Sequence, residues 1–329
     1  MISIFTYAHN RPDFIEMQYE TIKKHLKCEY EFVVFNNAID NVQQYSEIHS
    51  ICKRLNIKCV DVKLEKDMQV TTGVTNFHGN HYITGNIACS YSIMWTFKNY
   101  VTTEKLVCIL DSDMFFINNV DLVSLIKDKE AVYIPQYRQS NRVKYIWNAF
   151  VLLNLERKPN LKDLDWTPAP INGENMDVGA QISYYLRKNQ IDSLYLEEYS
   201  IRDFNKTSTG WDIHYIQNGN INYRLKYDDD MNLTSIKHID GCKYSEYKSF
   251  PYESECSDLG LKISDKVKSL IQYINQREAN LPDPYHIAFI GLQDSDYHFI
   301  LHYKSGSNYL SFSTDEYNKR KTAAVEKLL

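Results

Sequence analysis

Two carboxylates one residue apart, Asp111 and Asp113, stand directly after five apolar residues, Leu106 to Leu110, and before Met114-Phe115-Phe116. An apolar run of that length has the form of a buried strand. Unpaired carboxylates are too costly to bury in a core. At the open end of a parallel strand they face a crevice instead, which is where ligands bind in open α/β sheets. Oxygen ligands at this spacing suit a hard divalent cation, Mn²⁺ or Mg²⁺. A cation held there binds a diphosphate.

A second segment could complete such a centre. His302 ends an apolar strand and is followed by Lys304 and a turn at Gly306. His302 would be a third protein ligand to the metal, and Lys304 would neutralise phosphate charge. Taken alone, the same segment reads as an ordinary strand with a polar edge. His238, in His238-Ile-Asp240-Gly241, competes for the histidine role. Asp177 precedes a predicted helix; it either caps that helix by accepting backbone N–H bonds or faces the hydroxyl of an acceptor molecule. Two other acidic groups serve as controls. Asp294-Ser295-Asp296 repeats the triplet but joins two short strands, Ile287 to Leu292 and Tyr297 to Tyr303, so it reads as a hairpin turn. Asp228-Asp229-Asp230 reads as a solvated loop.

The elements that must position these groups follow a regular order. Ile2 to Thr6 is a predicted strand, and Pro12 sits where the first turn of a helix tolerates proline. Ile15, Tyr19, Ile22 and Leu26 recur on one helical face. Phe32 to Phe35 is a second strand, Val42 to Leu55 a helix, and Lys58 to Val62 a third strand. This β-α-β-α-β order predicts a parallel sheet with helices on both faces. Thr71 to Thr84 reads as a loop and Ile87 to Tyr100 as a helix leading into the Asp-Ser-Asp strand. Ala131 to Pro135 and Tyr145 to Leu155 are strand-like, and from about Asp192 the pattern becomes short strands and turns. Lys262 to Arg277 and the tail after Thr314 have helical spacing.

With 329 residues the chain can bury a sizeable core. The formal net charge of −5 argues against a nucleic-acid surface. No uninterrupted apolar run approaches membrane-spanning length. The N-terminus lacks a basic region ahead of its apolar residues, so it reads as a strand and not as a signal peptide. Seven cysteines without a C-x-x-C pair fit free thiols in a reducing compartment, so the expected location is cytoplasmic.

Together these pieces resemble a GT-A-fold glycosyltransferase. Thr6-Tyr-Ala-His-Asn-Arg11-Pro12 resembles the first strand and turn of family 2 enzymes. Asp111-Ser-Asp113 matches the metal-binding D-x-D. Asn148-Ala-Phe-Val-Leu-Leu-Asn154-Leu is similar to the Asn-Ala-Gly-Val…Asn-Leu element of family 8. Asp177-Val-Gly179-Ala-Gln181 stands where such enzymes place an acceptor-side Asp and glycines. His302…Gly306 resembles the family 8 H-x-x-G-x-x-K-P-W closing motif, with one extra residue before the glycine and without the Lys-Pro-Trp end. Ala149-Phe150 replaces Ala-Gly, so the chain looks more like the uncharacterised glycosyltransferases of bacteria, phages and large DNA viruses than a regular family 8 member.

The resemblance implies a single GT-A (Rossmann-like) domain over 1–329. Its mostly parallel central sheet would be flanked by helices and followed by a C-terminal elaboration. Residues 1–120 would bind the nucleotide, 121–313 would hold the acceptor half and closing segment, and 314–329 would form a terminal helix. It implies a nucleoside-diphosphate sugar donor, a glycan or glycoconjugate acceptor, and Mn²⁺ or Mg²⁺ held by Asp111, Asp113 and His302. Tyr7, Arg11, Asn36 and Asn37 would lie near the nucleotide, Lys304 would join Asp111 at the diphosphate, and Asp177 would act on the acceptor. Two rival classes remain. A nucleotidyltransferase or dinucleotide enzyme needs a glycine-rich phosphate loop after the first strand, and the turn Tyr7-Ala-His-Asn-Arg11 has no glycine. A non-catalytic carbohydrate-binding or scaffold protein on the same fold is disfavoured by the intact Asp111/Asp113 pair.

Overall fold

The first strand, β1 (Ile2–Ala8), is buried along its whole length, as a continuous apolar run at the centre of a sheet must be. Pro12 holds the N-cap of α1 (Asp13–His25), where its missing N–H costs nothing. Ile15 and Ile22 of α1 are buried, as their spacing predicts. The chain then forms β2 (Tyr30–Asn36), α2 (Val42–Leu55) and β3 (Lys58–Asp61). Asn41 caps α2 by accepting a bond from the Gln44 N–H at 3.1 Å, and Asn56 ends it in the left-handed region at φ 54°. Next come α3 (Gly85–Asn99), β4 (Leu106–Leu110), the strand that carries the aspartates, the short helix α4 (Leu122–Ile126) and, further on, the two-residue strands β8 (Pro170–Ile171) and β9 (Glu174–Asn175).

The structure is a computed structural model and describes residues 1–9, 11–38, 41–63, 85–138, 143–171, 174–217, 221–240, 248–249, 258–277, 287–293, 295–303, 322–323 and 325–329. The predicted loop at 71–84, Lys304 and Gly306 lie outside the described residues, as does the side chain of His238.

The chain divides into two units, Met1–Ser112 with Val120–Tyr195, and Asp113–Asn119 with Leu196–Leu329. In the first unit β1 pairs in parallel with β2 and β4, and β2 in parallel with β3. The expected mostly parallel sheet needs correction beyond β4. There β7 (Val143–Asn154) runs antiparallel to β4 and to β6 (Ala131–Arg138). β6 and β7 are consecutive strands about four residues apart in sequence, too few for a parallel crossover, so these two pair antiparallel. On one face, Ile93 and Phe97 of α3 pack with Phe5, Phe35, Ile109 and Val151. Gly179 precedes the short helix α5 (Ile182–Lys188) and has φ +88°; a Cβ there would meet the Ile146 carbonyl oxygen at 2.3 Å. That close approach to β7 requires glycine.

The second unit is an antiparallel sheet. Its long strand is β10 (Ser193–Thr207), whose first three residues still pair with β6 in the first unit. The expectation of short strands fails here. Polar residues interrupt the apolar run at Glu197-Glu198 and Arg202-Asp203, but the backbone continues through them. On one side of β10 lie β11 (Gly210–Gln217), β12 (Ile221–Tyr227), β13 (Leu233–Asp240) and the two-residue β14 (Lys248–Ser249). On the other lie β15 (Ile287–Leu292), β16 (His298–Tyr303) and β5 (Met114–Phe116). Helix α6 (Asp258–Gln276) buries Val267 and Leu270. Among the described residues, no helix is long and apolar enough to cross a membrane.

Candidate metal centre

Asp113 opens the second unit, immediately before β5. β5 pairs antiparallel with β16 in a register that sets His302 opposite Met114. The Tyr303 N–H donates to the Asp113 carbonyl at 2.8 Å, which fixes the backbone beside it. This pairing carries His302, 189 positions along in sequence, to the second aspartate of the D-x-D. His302 Nε2 lies 3.5 Å from Asp113 Oδ1. A third residue, which the sequence reading did not single out, joins them: His302 Nδ1 is 2.6 Å from Glu198 Oε1. All three side chains are at least nine-tenths buried.

The strand registers explain how Glu198 reaches. β15 lies between β10 and β16, with Glu198 opposite Ile290 and His302 opposite Ala288. Residues at these alternating positions share one face of the sheet. Ala288 is the small residue directly beside His302, and it leaves the carboxylate a path across the intervening strand. Glu197 points to the other face. There it accepts bonds from Lys266 Nζ at 2.7 Å and the Tyr215 hydroxyl at 2.5 Å.

Burial alone would push the His302 imidazole down, but the charge of Asp113, hydrogen bonds to Asp113 and Glu198, and the Glu198 charge outweigh it and push its pKa up to about 9. Two acidic side chains thus flank one histidine in a buried place. A divalent cation would replace the histidine's proton there, and buried charges are normally paired or metal-bound.

The donor geometry fits such a cation. Two ligands about 2.1 Å from a common ion stand roughly 3.0 to 3.4 Å apart, for octahedral or tetrahedral angles. The observed separation of 3.5 Å is close to that span. Glu198 supplies the usual outer partner, since a metal-binding histidine donates its other ring N–H to a carboxylate or carbonyl. One nitrogen and a carboxylate oxygen suit Mn²⁺ better than Mg²⁺. Glu198→Gln is expected to weaken Mn²⁺ binding about 10- to 100-fold, the usual cost of losing such a partner. Calorimetric titration with Mn²⁺ checks this, and unchanged affinity would reduce Glu198 to a packing role. The signal was present in the sequence: two adjacent acids in an otherwise apolar strand segment, Leu194-Tyr-Leu-Glu-Glu-Tyr199.

The other expected site residues that the structure describes lie in the first unit. Asp111 is half-buried; its carbonyl accepts from Gln18 Nε2 at 2.7 Å and its carboxylate from the Ser112 N–H at 2.8 Å. Arg11 lies over the Phe14 ring, 3.7 Å from its centroid, and pairs with Asp13. Asn36 is fully buried, donating to the Tyr45 carbonyl and accepting from the Ala38 N–H. Asn37 donates to the Ser92 hydroxyl. Tyr7 is packed in the core with its ring stacked on Phe35, and burial raises its phenol well above the ordinary range. Asp177 does not cap α5, whose N-cap is Gln181. Its carboxylate accepts from the Val178 N–H at 2.8 Å and its carbonyl from the Ala180 N–H. The described residues of both control groups sit between strands. Ser295-Asp296 lies between β15 and β16, and exposed Asp229 and Asp230 lie between β12 and β13.

A comparison with solved structures finds galactosyltransferase LgtC in complex with donor and acceptor sugar analogues, at 13% identity and a TM-score of 0.32, over 47% of this chain and 58% of that one. It also finds mannosyltransferase PcManGT from Pyrobaculum calidifontis in complex with GDP-Man and Mn²⁺, at 15% identity and a TM-score of 0.35, over 57% and 51%. Mannosyltransferase Ktr4p from S. cerevisiae follows at 10% identity and a TM-score of 0.32, over 47% and 56%. The match thus spans little more than half the length of each of these proteins. A search of curated proteins finds no match. A family profile, in contrast, matches residues 10–312, most of the chain, so the chain belongs to that family, a family of unknown function designated DUF6492.

Proposed function

We propose that the chain is a metal-dependent glycosyltransferase that moves a sugar from a nucleoside-diphosphate sugar to a hydroxyl of a glycan or glycoconjugate. The observation that carries this reading is the Glu198–His302–Asp113 array. A D-x-D aspartate and a distant histidine converge at ligand spacing, with a buried carboxylate behind the histidine. Asp113 and His302, with Asp111 two positions upstream, are the proposed ligands of Mn²⁺. A bound ion would supply Lewis-acid stabilisation of a departing nucleoside diphosphate.

The chain's own residues hold and orient. Glu198 holds the His302 proton on Nδ1, so Nε2, which faces Asp113, is the nitrogen that would be offered to the ion. Arg11, just after β1, is the proposed nucleotide contact, and the buried Asn36 and Asn37 hold the turn after β2 in place, Asn36 through Tyr45 and Ala38 and Asn37 through Ser92. Tyr7 supports that end of the sheet from the core, through its stack on Phe35. Lys304, in the segment after β16, is proposed to neutralise phosphate charge.

Asp177 is the proposed acceptor-side carboxylate. With no capping role at α5, Asp177→Asn should lower turnover at least 100-fold, about 2.7 kcal/mol of barrier, with little change in donor affinity. Near-normal turnover in that variant would remove Asp177 from the chemistry. The whole reading is tested by incubating the chain with a panel of nucleotide sugars and Mn²⁺. Slow hydrolysis of one donor, lost on chelation, is expected. No turnover of any donor by protein with metal bound would overturn it in favour of a non-catalytic sugar-binding role.

A further inference from the structure

Helix α2 and the edge strand β3 bring a different set of metal-ligating atoms together in the first unit. Tyr45, His49 and Cys52 recur at i, i+4 and i+7, so they share one face of α2. Cys59 and Asp61 alternate on β3 and share one face of that strand. His49 Nε2 lies 2.8 Å from Asp61 Oδ1. The ligating atoms of His49, Cys59 and Asp61 all lie within 4.8 Å of one another, and each residue is half-buried, so solvent reaches the group.

We propose that His49, Cys59 and Asp61 form a binding site for a borderline-soft divalent cation of the Zn²⁺ class, with water in the fourth position. The donor set is the first support. Imidazole, thiolate and carboxylate are the three side chains that bind Zn²⁺, and a thiolate selects against the hard ions Mn²⁺ and Mg²⁺. Geometry is the second. Bond lengths of about 2.0 to 2.3 Å place tetrahedral donors roughly 3.3 to 3.6 Å apart. Side chains with room to turn can close that gap. The surroundings are the third. Tyr45 donates to Asp61 Oδ2 at 2.6 Å and leaves Oδ1 for the ion. Its ring also packs edge-on against His49, with centroids 4.7 Å apart, which restrains the imidazole. Outer partners of this kind orient the ligands of real metal sites. Beneath them the Cys59 thiol hydrogen-bonds with the buried Cys52, and that bond and burial push Cys59 up, so the ion must displace its proton.

The plainer reading is a surface His–Asp pair with a tyrosine beside it, worth at most about 1 kcal/mol. It accounts for Tyr45, His49 and Asp61 and gives the Cys59 thiol a partner in Cys52, but no reason for that sulfur to stand within 4.8 Å of the His49 and Asp61 ligating atoms. In the proposed site the Cys59 thiol gives up its proton to solvent on binding, His49 carries its hydrogen on Nδ1, and the ion ties the edge strand to α2.

Co²⁺ titration of the reduced, metal-free, full-length chain tests this without any activity assay, and so independently of the proposed transferase function. A thiolate-to-cobalt charge-transfer band in the near ultraviolet is expected. It should be lost in Cys59→Ser and kept in Asp113→Asn. Zn²⁺ affinity should fall at least about 10-fold in His49→Ala, a half-exposed helix position that should fold whether or not the Cys59 variant does. No charge-transfer band in the folded wild type, a band that survives in folded Cys59→Ser, or unchanged Zn²⁺ affinity in His49→Ala would overturn the proposal.

Discussion

Asp113→Asn should lower Mn²⁺-dependent turnover by at least about 1,000-fold, near 4 kcal/mol of barrier, and leave the chain folded. The substitution keeps the shape of the side chain and removes its charge. A neutral amide is a poor ligand for a hard cation, and the Lewis-acid contribution that the carboxylate would anchor is worth several kcal/mol. The backbone bond from Tyr303 to the residue 113 carbonyl survives, so β5 and β16 stay paired. Turnover and thermal unfolding are measured together. Asp296→Asn is the control, because that aspartate is exposed in the β15–β16 turn. It should change turnover less than about 2-fold, within the small range expected of surface substitutions. A folded Asp113→Asn variant that keeps a tenth of wild-type turnover would remove the metal assignment.

The second large effect is on stability. Lys266→Ala should cost about 3 to 5 kcal/mol, the range found when one partner of a buried ion pair is removed. Lys266 Nζ reaches Glu197 Oε2 at 2.7 Å and the Gln293 carbonyl at 2.6 Å, with both charged side chains almost wholly buried. Truncation leaves the Glu197 carboxylate with the Tyr215 hydroxyl and no cation. Urea unfolding should show a lower midpoint with an unchanged slope. Pairing Lys266→Met with Glu197→Gln should recover at least about half the loss, because the stranded charge is the source of the cost. A loss below about 1 kcal/mol in the single variant would mean that solvent reaches Glu197. Because Glu197 and Glu198 are consecutive, anchoring the first on one face of β10 also sets the second toward His302.

What could be read from sequence divides along a physical line. Val42–Leu55 and Leu106–Leu110 have the residue bounds expected from periodicity and apolar run length, because both signals are local. The β1–β2–β3 order is parallel as the alternation of strands and helices requires. Ser295-Asp296 of the repeated triplet lies between the antiparallel strands β15 and β16, as the flanking apolar runs imply. The antiparallel insertion of β7 beside β4 was not legible, since which strand neighbours which is decided by contacts far apart in sequence. Glu198 was missed for the same reason. Adjacent acids read as a polar interruption until the order β10–β15–β16–β5 shows what lies across the sheet. Asp113 and His302 were legible as candidate ligands. Their 3.5 Å separation depends on the β5–β16 register, which three residues of strand do not announce.

Anomalous diffraction from crystals grown with Mn²⁺ and a nucleoside diphosphate bears most directly on the proposed centre. The expected result is one strong manganese peak shared by the Asp113 carboxylate and His302 Nε2, with Glu198 still bonded to Nδ1. A map in which the nucleotide is bound and these two side chains contact each other with no manganese between them would contradict it.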